Sequence, residues 1–228
     1  MIIKCGISDA GNVDNVVDAG ARLIGLNFCT DSSCCLRMVN SGTGIFPDYA
    51  VKRFKDCGPD VLPWAGKALL VGIFDDDMPQ NIVTRIYNYG LDYVQLNGNE
   101  SRTMIENLLN TIVPDIAPAL KIIKTVAVRS KNDFGKCRSY EGIVDLFLFV
   151  PCKESRCDET YDVLFDGYEG DTPFLLGGKI FPDDVEKMLD INHKMFVGID
   201  IGDGFETADG MKDVDGIRRF VSRLCENK

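Results

Sequence analysis

The sequence predicts a single (β/α)8 barrel, an α/β fold in which eight parallel strands alternate with helices. Short apolar runs bounded by turn residues, which are typical of strands buried on both faces, recur along the chain. Each run is followed by a helical segment, and such alternation builds a parallel sheet. No linker or run of charge divides the 228 residues, so we expect one domain spanning residues 1–228.

The predicted strands are eight short runs, most of them rich in Val, Ile, Leu or Phe. In order they are Ile2–Ser8, Arg22–Phe28, Ala68–Phe74, Asp92–Leu96, Leu120–Val128, Val144–Val150, Phe174–Leu176 and Phe196–Ile201. In barrels of this class the functional groups lie where the strands end. Cys5 lies near the carboxyl end of the first strand and is therefore the first candidate for chemistry.

Helices are predicted between the strands from the helical spacing of apolar residues, from Pro at the start of a segment and from Gly at its end. They are Val13–Ala19, Pro47–Lys55, a segment from Pro79, one with the stripe Met104, Ile105, Leu108, Leu109, Ile112 and Val113, then Asn132–Tyr140, Thr160–Phe165, Pro182–Leu189, and a closing helix with Val214, Ile217, Val221 and Leu224. Cys29–Pro47 is predicted to be a loop, of a length that is usually functional or disordered.

Composition excludes several classes of partner. The formal net charge of −10 repels phosphate backbones and anionic lipid, so we expect neither nucleic acid nor membrane as a partner. The longest apolar runs are too short to span a bilayer, and Met1 leads directly into a strand, which leaves no room for a signal peptide. Nine cysteines without framework spacing favour a reducing compartment, and we expect a cytoplasmic protein.

Several short motifs at the strand ends, taken in order, resemble those of one family. They are Lys4-Cys5-Gly6-Ile7, Ile24-Gly25-Leu26-Asn27-Phe28, Val71-Gly72-Ile73-Phe74, Val94-Gln95-Leu96-Asn97-Gly98-Asn99-Glu100, and the tail from Gly198-Ile199-Asp200 through Phe205-Glu206-Thr207 to Lys212-Asp213. The family is phosphoribosylanthranilate isomerase, whose first, third and fourth strands carry Lys-Ile-Cys-Gly, Val-Gly-Val-Phe and Val-Gln-Leu-His-Gly-x-Glu. The resemblance runs nearly end to end.

The resemblance implies an Amadori rearrangement of N-(5-phosphoribosyl)anthranilate to the 1-amino-ketose, in tryptophan biosynthesis. A general acid protonates the ribose ring oxygen and opens the aminoaldose to a Schiff base. A general base then removes the C2 proton, which gives an enolamine that becomes the ketose. The resemblance implies no cofactor and no metal, a phosphorylated small-molecule substrate, and a monomer or homodimer.

Three side chains take roles by resemblance. Cys5 is the general base, and a strand-end thiol serves once its pKa falls toward neutrality; from the residues alone, a buried core Cys is the alternative. Arg37, in Arg37-Met38-Val39-Asn40, is similar to the family's Arg that holds the anthranilate carboxylate, a task that suits a guanidinium. Its alternative is an exposed Arg without a partner. Asp200 matches the strand-eight carboxylate, with a cap or loop anchor as its alternative.

Glycines after the last two strands take the phosphate by resemblance. Gly177-Gly178-Lys179-Ile180 matches the family's Ala-Gly-Gly-Leu, and Gly202-Asp203-Gly204 replaces its Ser-Ser-Gly. Gly178, Gly202 and Gly204 are therefore the predicted phosphate-binding glycines, since such turns form nests of backbone N–H groups. The Asp203 carboxylate disfavours phosphate nearby, and Lys179 compensates as a point charge.

The chain departs from the family at the general acid. The family's Asp at the end of strand six corresponds to Val150, which carries no proton to give. Asp145 lies at the opposite end of that strand, and the nearest loop acids are Glu154, Asp158 and Asp162. The segment Glu154–Thr160 also lacks the glycines with which the family binds phosphate. We therefore expect impaired activity.

Alternatives remain open at this point. A paralogue without isomerase activity that binds another small ligand is one, and an isomerase for a different aminosugar is another. Cysteines in two loops offer a soft-metal site, but their spacing is not standard for zinc, so free thiols are favoured. These are Cys29, Cys34, Cys35, Cys152 and Cys157. The single histidine, His193, precedes strand eight and is predicted to be structural.

Overall fold

The computed structural model describes residues 1–7, 12–29, 38–41, 44–47, 66–151, 165–207 and 210–226 of the chain. Its strands are β1 (Ile2–Ile7), β2 (Leu23–Asn27), β3 (Met38–Ser41), β4 (Gly44–Pro47), β5 (Leu69–Phe74), β6 (Tyr93–Leu96), β7 (Lys121–Val128), β8 (Leu146–Pro151), β9 (Phe174–Leu176) and β10 (Phe196–Ile201). Its α-helices are α1 (Val13–Asp18), α2 (Pro79–Tyr89), α3 (Arg102–Ile112), α4 (Val185–Leu189) and α5 (Val214–Glu226). Short 3₁₀ helices cover Lys131–Tyr140, Pro182–Asp184 and Asp203–Phe205.

Eight of these strands close into a barrel. Their order around it is β1-β10-β9-β8-β7-β6-β5-β2, and each neighbouring pair is parallel. Lys4 pairs with Asp200 and Cys5 with Ile201, so β1 and β10 end at the same level. The predicted barrel of eight parallel strands is confirmed, and the carboxyl ends of its strands share one mouth.

Successive strand residues point alternately into the barrel and out toward the helices. The inward cluster consists of strand residues alone, and its buried members are Leu23, Val71, Ile73, Tyr93, Ile123, Leu146, Leu148 and Leu175. The outward cluster joins strand residues such as Ile3 and Cys5 to helix residues such as Ile105 and Ile217. These two layers decide which side chains at the mouth face a ligand.

The clearest predicted helix forms as its pattern requires. Ser101 caps α3 by accepting the Met104 N–H, and Ile105, Leu108 and Ile112 are buried against the barrel. The closing helix α5 buries Ile217, Phe220 and Leu224 in the same way. Both helices therefore cover the outside of the sheet with their apolar stripes.

The predicted loop Cys29–Pro47 contains regular structure, and this corrects the sequence interpretation. Strands β3 and β4 pair as an antiparallel hairpin with Val39 opposite Phe46. The pairing runs as far as Ser41 opposite Gly44, a spacing typical of a tight hairpin. Pro47 ends β4 rather than starting a helix, since Pro is tolerated in a hairpin's edge strand. The rest of the predicted helix, 48–55, lies outside the described residues.

The predicted helix Asn132–Tyr140 is a 3₁₀ helix, Lys131–Tyr140. Its buried residues, Phe134 and Cys137, are three apart, the spacing that repeats on one face of a 3₁₀ helix. Asp133 accepts the N–H groups of Arg129 and Ser130 at its start. Of the predicted helix Thr160–Phe165, only Phe165 falls among the described residues, and it is helical there.

Candidate active site at the carboxyl mouth of the barrel

A lysine and a carboxylate pair inside the mouth. The Lys4 ammonium donates to Asp200 Oδ2 at 2.8 Å. Both residues alternate along their strands with members of the outward cluster, Ile3 and Cys5 on β1 and Ile199 and Ile201 on β10, so both face the lumen. The Lys4 side chain is 1% exposed and that of Asp200 is 18% exposed. Asp200 therefore presents a carboxylate to the mouth with a buried cation beneath it.

The Cys5 thiol lies on the other face of β1. Cys5 is fully buried and belongs to the outward cluster between strands and helices. Burial raises its pKa to about 12, with the Lys212 ammonium opposing that rise. A thiol serves as a base at neutral pH only when its pKa is lowered. The general-base role that the resemblance implies for Cys5 stays a prediction. The outward orientation of the Cys5 side chain and its raised pKa both argue against that role.

Sequence analysis missed Lys4, although a signal for it was present. The family's motif has one residue between Lys and Cys, whereas here Lys4 and Cys5 are adjacent. With a side-chain period of two, adjacent residues face opposite sides of the sheet, so only one of them points inward. The position after Cys5 is Gly6, and a Cβ atom there would have no neighbour within 4 Å. Gly6 thus leaves open space on the lumen side, two residues beyond Lys4.

Val150 occupies the predicted place at the end of β8. It packs against the inward cluster and pairs with Ala127, while Pro151 pairs with Val128 to close the strand. Asp145 lies at the far end, where its carboxylate accepts the Ile122 N–H at 2.8 Å. Within its described residues, β8 therefore places no carboxyl group at the mouth.

The two predicted phosphate turns lie against each other. Gly178 adopts φ 104°, a conformation that favours glycine, and it lies exposed beside Val150 and Pro151. A Cβ atom on Gly204 would approach the Ile180 carbonyl oxygen at 2.1 Å, so only glycine fits this contact. At Gly202 a Cβ atom would meet nothing within 4 Å. The turns after β9 and β10 are thus packed together, and the side chains of Lys179 and Asp203 are exposed on them.

Lys212 braces the second of these turns, and sequence analysis assigned it no role although it stands in the quoted tail motif. Its buried ammonium donates to the Gly202 carbonyl at 3.1 Å and to Glu206 Oε1. Its own carbonyl accepts from Asn12 Nδ2 at 3.1 Å. These contacts fix the 202–206 turn to the body of the barrel and place a cation under it.

A third group of polar residues lies where β6 and β7 end, on the opposite side of the barrel. Asn97, which replaces the family's His, accepts from Thr125 Oγ1 at 2.6 Å and from Gln95 Nε2 at 2.9 Å. Beside it, Lys124 Nζ lies 3.3 Å from Glu100 Oε2, and both side chains are 2% exposed. Lys124 also donates to the Gly98 carbonyl at 2.8 Å. This ion pair joins the loop after β6 to β7.

Several predicted residues lie outside the described part of the chain. They are Arg37, the thiols of Cys34, Cys35, Cys152 and Cys157, and the loop acids Glu154, Asp158 and Asp162. Among the described residues, no three His, Cys, Asp or Glu side chains are grouped so as to hold a metal ion. The helices in these ranges are each too short or too polar to span a bilayer. His193 accepts the Met195 N–H at Nδ1 and contacts the Tyr168 carbonyl through Nε2, which fits a structural role.

Known proteins are similar to this chain over nearly its whole length. The family model for N-(5'-phosphoribosyl)anthranilate isomerase matches residues 4–223. The isomerase of Parabacteroides distasonis is 35% identical over 236 residues, covering 98% of this chain and 93% of its own. That of Phocaeicola vulgatus is 29% identical over 232 residues, with 98% of each chain covered.

Solved structures share the fold. A phosphoribosylanthranilate isomerase crystallised with reduced 1-(o-carboxyphenylamino)-1-deoxyribulose 5-phosphate superposes with a TM-score of 0.72 at 20% identity. The superposition covers 99% of this chain and 100% of that one. At this identity the superposition shows only that the barrel fold is shared. Membership of the family is shown by the family model and by the relatives of similar sequence. The chain belongs to the N-(5'-phosphoribosyl)anthranilate isomerase family.

Proposed function

We propose that this protein isomerises N-(5'-phosphoribosyl)anthranilate to the 1-amino-ketose of tryptophan biosynthesis, and that it does so slowly. The observation that carries the proposal is the family match over residues 4–223. The mouth supports it with the Asp200 carboxylate and with two packed glycine turns. The reaction is an internal redox change of one molecule, in which C1 is reduced and C2 oxidised, so it consumes no external oxidant.

The substrate's phosphate fits the turns after β9 and β10. Gly178, Gly202 and Gly204 hold backbone close to the mouth, where N–H groups of successive residues bind anions well. Lys179 adds an exposed ammonium, and the buried Lys212 ammonium lies under the second turn. A related isomerase was crystallised with a 5-phosphate ligand, which agrees with phosphate as the anchoring group. Arg37 holds the anthranilate carboxylate in this proposal.

The slow rate follows from Val150. Opening the ribose ring needs a proton at the ring oxygen, and a positioned general acid contributes roughly 10²–10⁴-fold in rate. Valine supplies none of this, and Pro151 follows it directly in β8. Turnover then relies on proton donors from water or from the loop acids beyond the strand.

The setting of the reaction is part of the proposal. The chain acts as one domain, as a monomer or homodimer, without cofactor or metal, in the cytoplasm. The negative net charge of the chain and its odd number of cysteines support this setting. Size-exclusion chromatography with light scattering measures the mass of the assembly, and a species larger than a dimer would contradict it.

Val150 also favours a second candidate function. A barrel that keeps the turns and Asp200 but has lost the acid is suited to bind an aminosugar phosphate or a related anion without rearranging it. This candidate predicts binding of the reduced ketose analogue with no turnover of the substrate.

Fluorescence separates the two. Phosphoribosylanthranilate is prepared in situ and its fluorescence is followed after the protein is added, with heat-denatured protein as control. Isomerisation predicts a protein-dependent loss of fluorescence, together with formation of the 1-amino-ketose and no excess of free anthranilate. Fluorescence that decays at the rate of the denatured control, alongside calorimetric binding of the reduced ketose analogue, would establish the second candidate instead.

A further inference from the structure

Asp200 is the one acidic residue within the eight barrel strands as the structure describes them. It lies on the lumen side, is 18% exposed and receives the Lys4 ammonium at 2.8 Å. The same strand level on β1 carries Lys4 inward and Cys5 outward. Of the two possible bases at the ends of β1 and β10, the Asp200 carboxylate therefore faces the lumen and the Cys5 thiol does not.

The thiol does not reach the mouth without a change in strand register. Cys5 packs among outward residues and has no exposed surface. Turning it inward would shift β1 by one residue, which would place Lys4 in the apolar layer between strands and helices. That shift would also break the Lys4–Asp200 pair. An ammonium buried in such a layer would have no partner charge, which favours the observed register.

We propose that Asp200 is the general base of the isomerisation, and that Lys4 is the positioning residue that orients and stabilises its carboxylate. This inference rests on the proposed function. It moves the base from the first strand to the eighth, next to the turn on which the phosphate is bound. The absence of a residue between Lys4 and Cys5 is the change in the sequence that accompanies this move.

The proton-transfer step balances within substrate and protein. In the protonated Schiff base, an Asp200 oxygen takes the proton from C2. The C2–H electron pair forms the C1–C2 double bond, and the π electrons of the C1–N bond become the nitrogen lone pair of the enolamine. On ketonisation C1 gains a proton from the carboxylic acid of Asp200, and the resulting carboxylate takes the proton of the C2 hydroxyl. Asp200 then releases that proton to water, which balances the proton that the ring oxygen took up on opening.

The Lys4 ammonium lies 2.8 Å from Asp200 Oδ2 and so fixes the orientation of the carboxylate at the mouth. Other charged groups at this corner are Lys212 and Glu206, which together with Lys4 and Asp200 act on the nearby Cys5. The exposed side chains of Lys179 and Asp203 lie on the two turns. Strand β2 contributes Gly25, where a Cβ atom would lie 3.3 Å from Lys4 Nζ.

The test compares Asp200→Asn, Cys5→Ala and Lys4→Met with the wild type in steady-state turnover of phosphoribosylanthranilate. Asparagine keeps an oxygen for the Lys4 ammonium, and methionine keeps the length of the lysine side chain. We expect Asp200→Asn to lower kcat by at least about 10²-fold with little change in KM, whereas Cys5→Ala stays well short of that loss. Lys4→Met should lower kcat with little change in KM, and Lys4→Arg, which keeps a cation beside the carboxylate, should restore part of the loss.

The outcomes are separable. An active wild type whose kcat collapses in Cys5→Ala but survives in Asp200→Asn overturns this inference and leaves the proposed function standing. A wild type without turnover overturns the proposed function, and the inference falls with it. Circular dichroism and melting temperature establish that each variant folds. Should Asp200→Asn fail to fold, Lys4→Met decides: a kcat equal to that of the wild type contradicts a base paired with Lys4.

Discussion

At the scale of single residues, the mouth is defined by which of two neighbours faces inward. Lys4 and Cys5 are adjacent on β1, and the sheet admits only one of them to the lumen. Val150 faces the same lumen from β8, at the position where the family has an acid. Each of these residues has a defined position on a rigid strand, so a substitution at each has a definite expected effect.

Val150→Asp is expected to raise kcat/KM, because it returns a carboxyl group to the end of β8 where the ring oxygen is expected. Full recovery would approach the roughly 10²–10⁴-fold that a general acid contributes, and Pro151 should limit the gain to part of that range. Steady-state turnover measures it. Val150→Asn, of similar size and without an acidic proton, is the matched control. Equal rates in the two variants would show that the acid comes from elsewhere.

At the scale of structural elements, neighbouring βα turns hold one another in place. The turn at Gly204 packs on the Ile180 carbonyl, and Lys212 ties the Gly202 carbonyl to the same region. On the other side of the barrel, Lys124 and Glu100 join β7 to the loop after β6. These contacts hold the mouth in shape without involving the substrate.

Gly204→Ala is expected to separate the turns after β9 and β10, because its Cβ would lie 2.1 Å from a backbone oxygen that has no freedom to rotate away. We expect a lower melting temperature and weaker binding of inorganic phosphate. Gly202→Ala is the matched control for stability, since its Cβ meets nothing within 4 Å. Calorimetry gives both quantities. Equal melting temperatures for the two variants would contradict the close approach.

Glu100→Gln is expected to destabilise the barrel, because the Lys124 ammonium stays buried without its partner charge. Breaking a buried pair on one side costs about 3–5 kcal/mol. Adding Lys124→Met should return part of the loss, with a coupling energy of about 0.5–3 kcal/mol between the two sites. Urea unfolding of both single variants and the double variant measures the cycle. Additive effects would show that the two side chains do not interact.

At the scale of the whole molecule, the barrel buries titratable groups in its outer layer. Burial raises the pKa of both Cys5 and Cys137 from 9.0 to about 12. The folded state then keeps protons that the unfolded chain releases above pH 9. The free energy of unfolding must therefore fall as pH rises from 9 toward 12.

Cys5→Ala is expected to reduce this alkaline loss of stability. Each thiol contributes a slope of about 1.4 kcal/mol per pH unit while it is ionised only in the unfolded state. Urea unfolding at pH 8, 9 and 10 compares Cys5→Ala with Cys225→Ala, whose thiol is exposed. Cys225→Ala should keep the wild-type slope. A Cys5→Ala slope equal to that of the wild type would mean that Cys5 ionises as readily in the fold as in the unfolded chain.

Much of the fold was predictable because the spacing of apolar residues within a strand or helix can be recognised from a short stretch of sequence. The eight barrel strands and the stripes of α3 and α5 follow from such spacing. The hairpin of β3 and β4 was missed because its four-residue strands are too short to show a period. Lys4 was missed because a match by residue type ignored which face of β1 each residue occupies. The partners of Lys212 were not predictable, since its ammonium meets a carbonyl ten residues away.

The rate of the wild-type protein decides whether it isomerises the substrate slowly for want of an acid at Val150. Its kcat/KM for phosphoribosylanthranilate is measured side by side with that of the Parabacteroides distasonis isomerase, the relative of 35% identity. Since Val150 supplies no acid, we expect catalysed turnover that is at least about 10²-fold less efficient than that of the relative. Turnover as efficient as that of the relative, or no turnover above the uncatalysed rate, would contradict it.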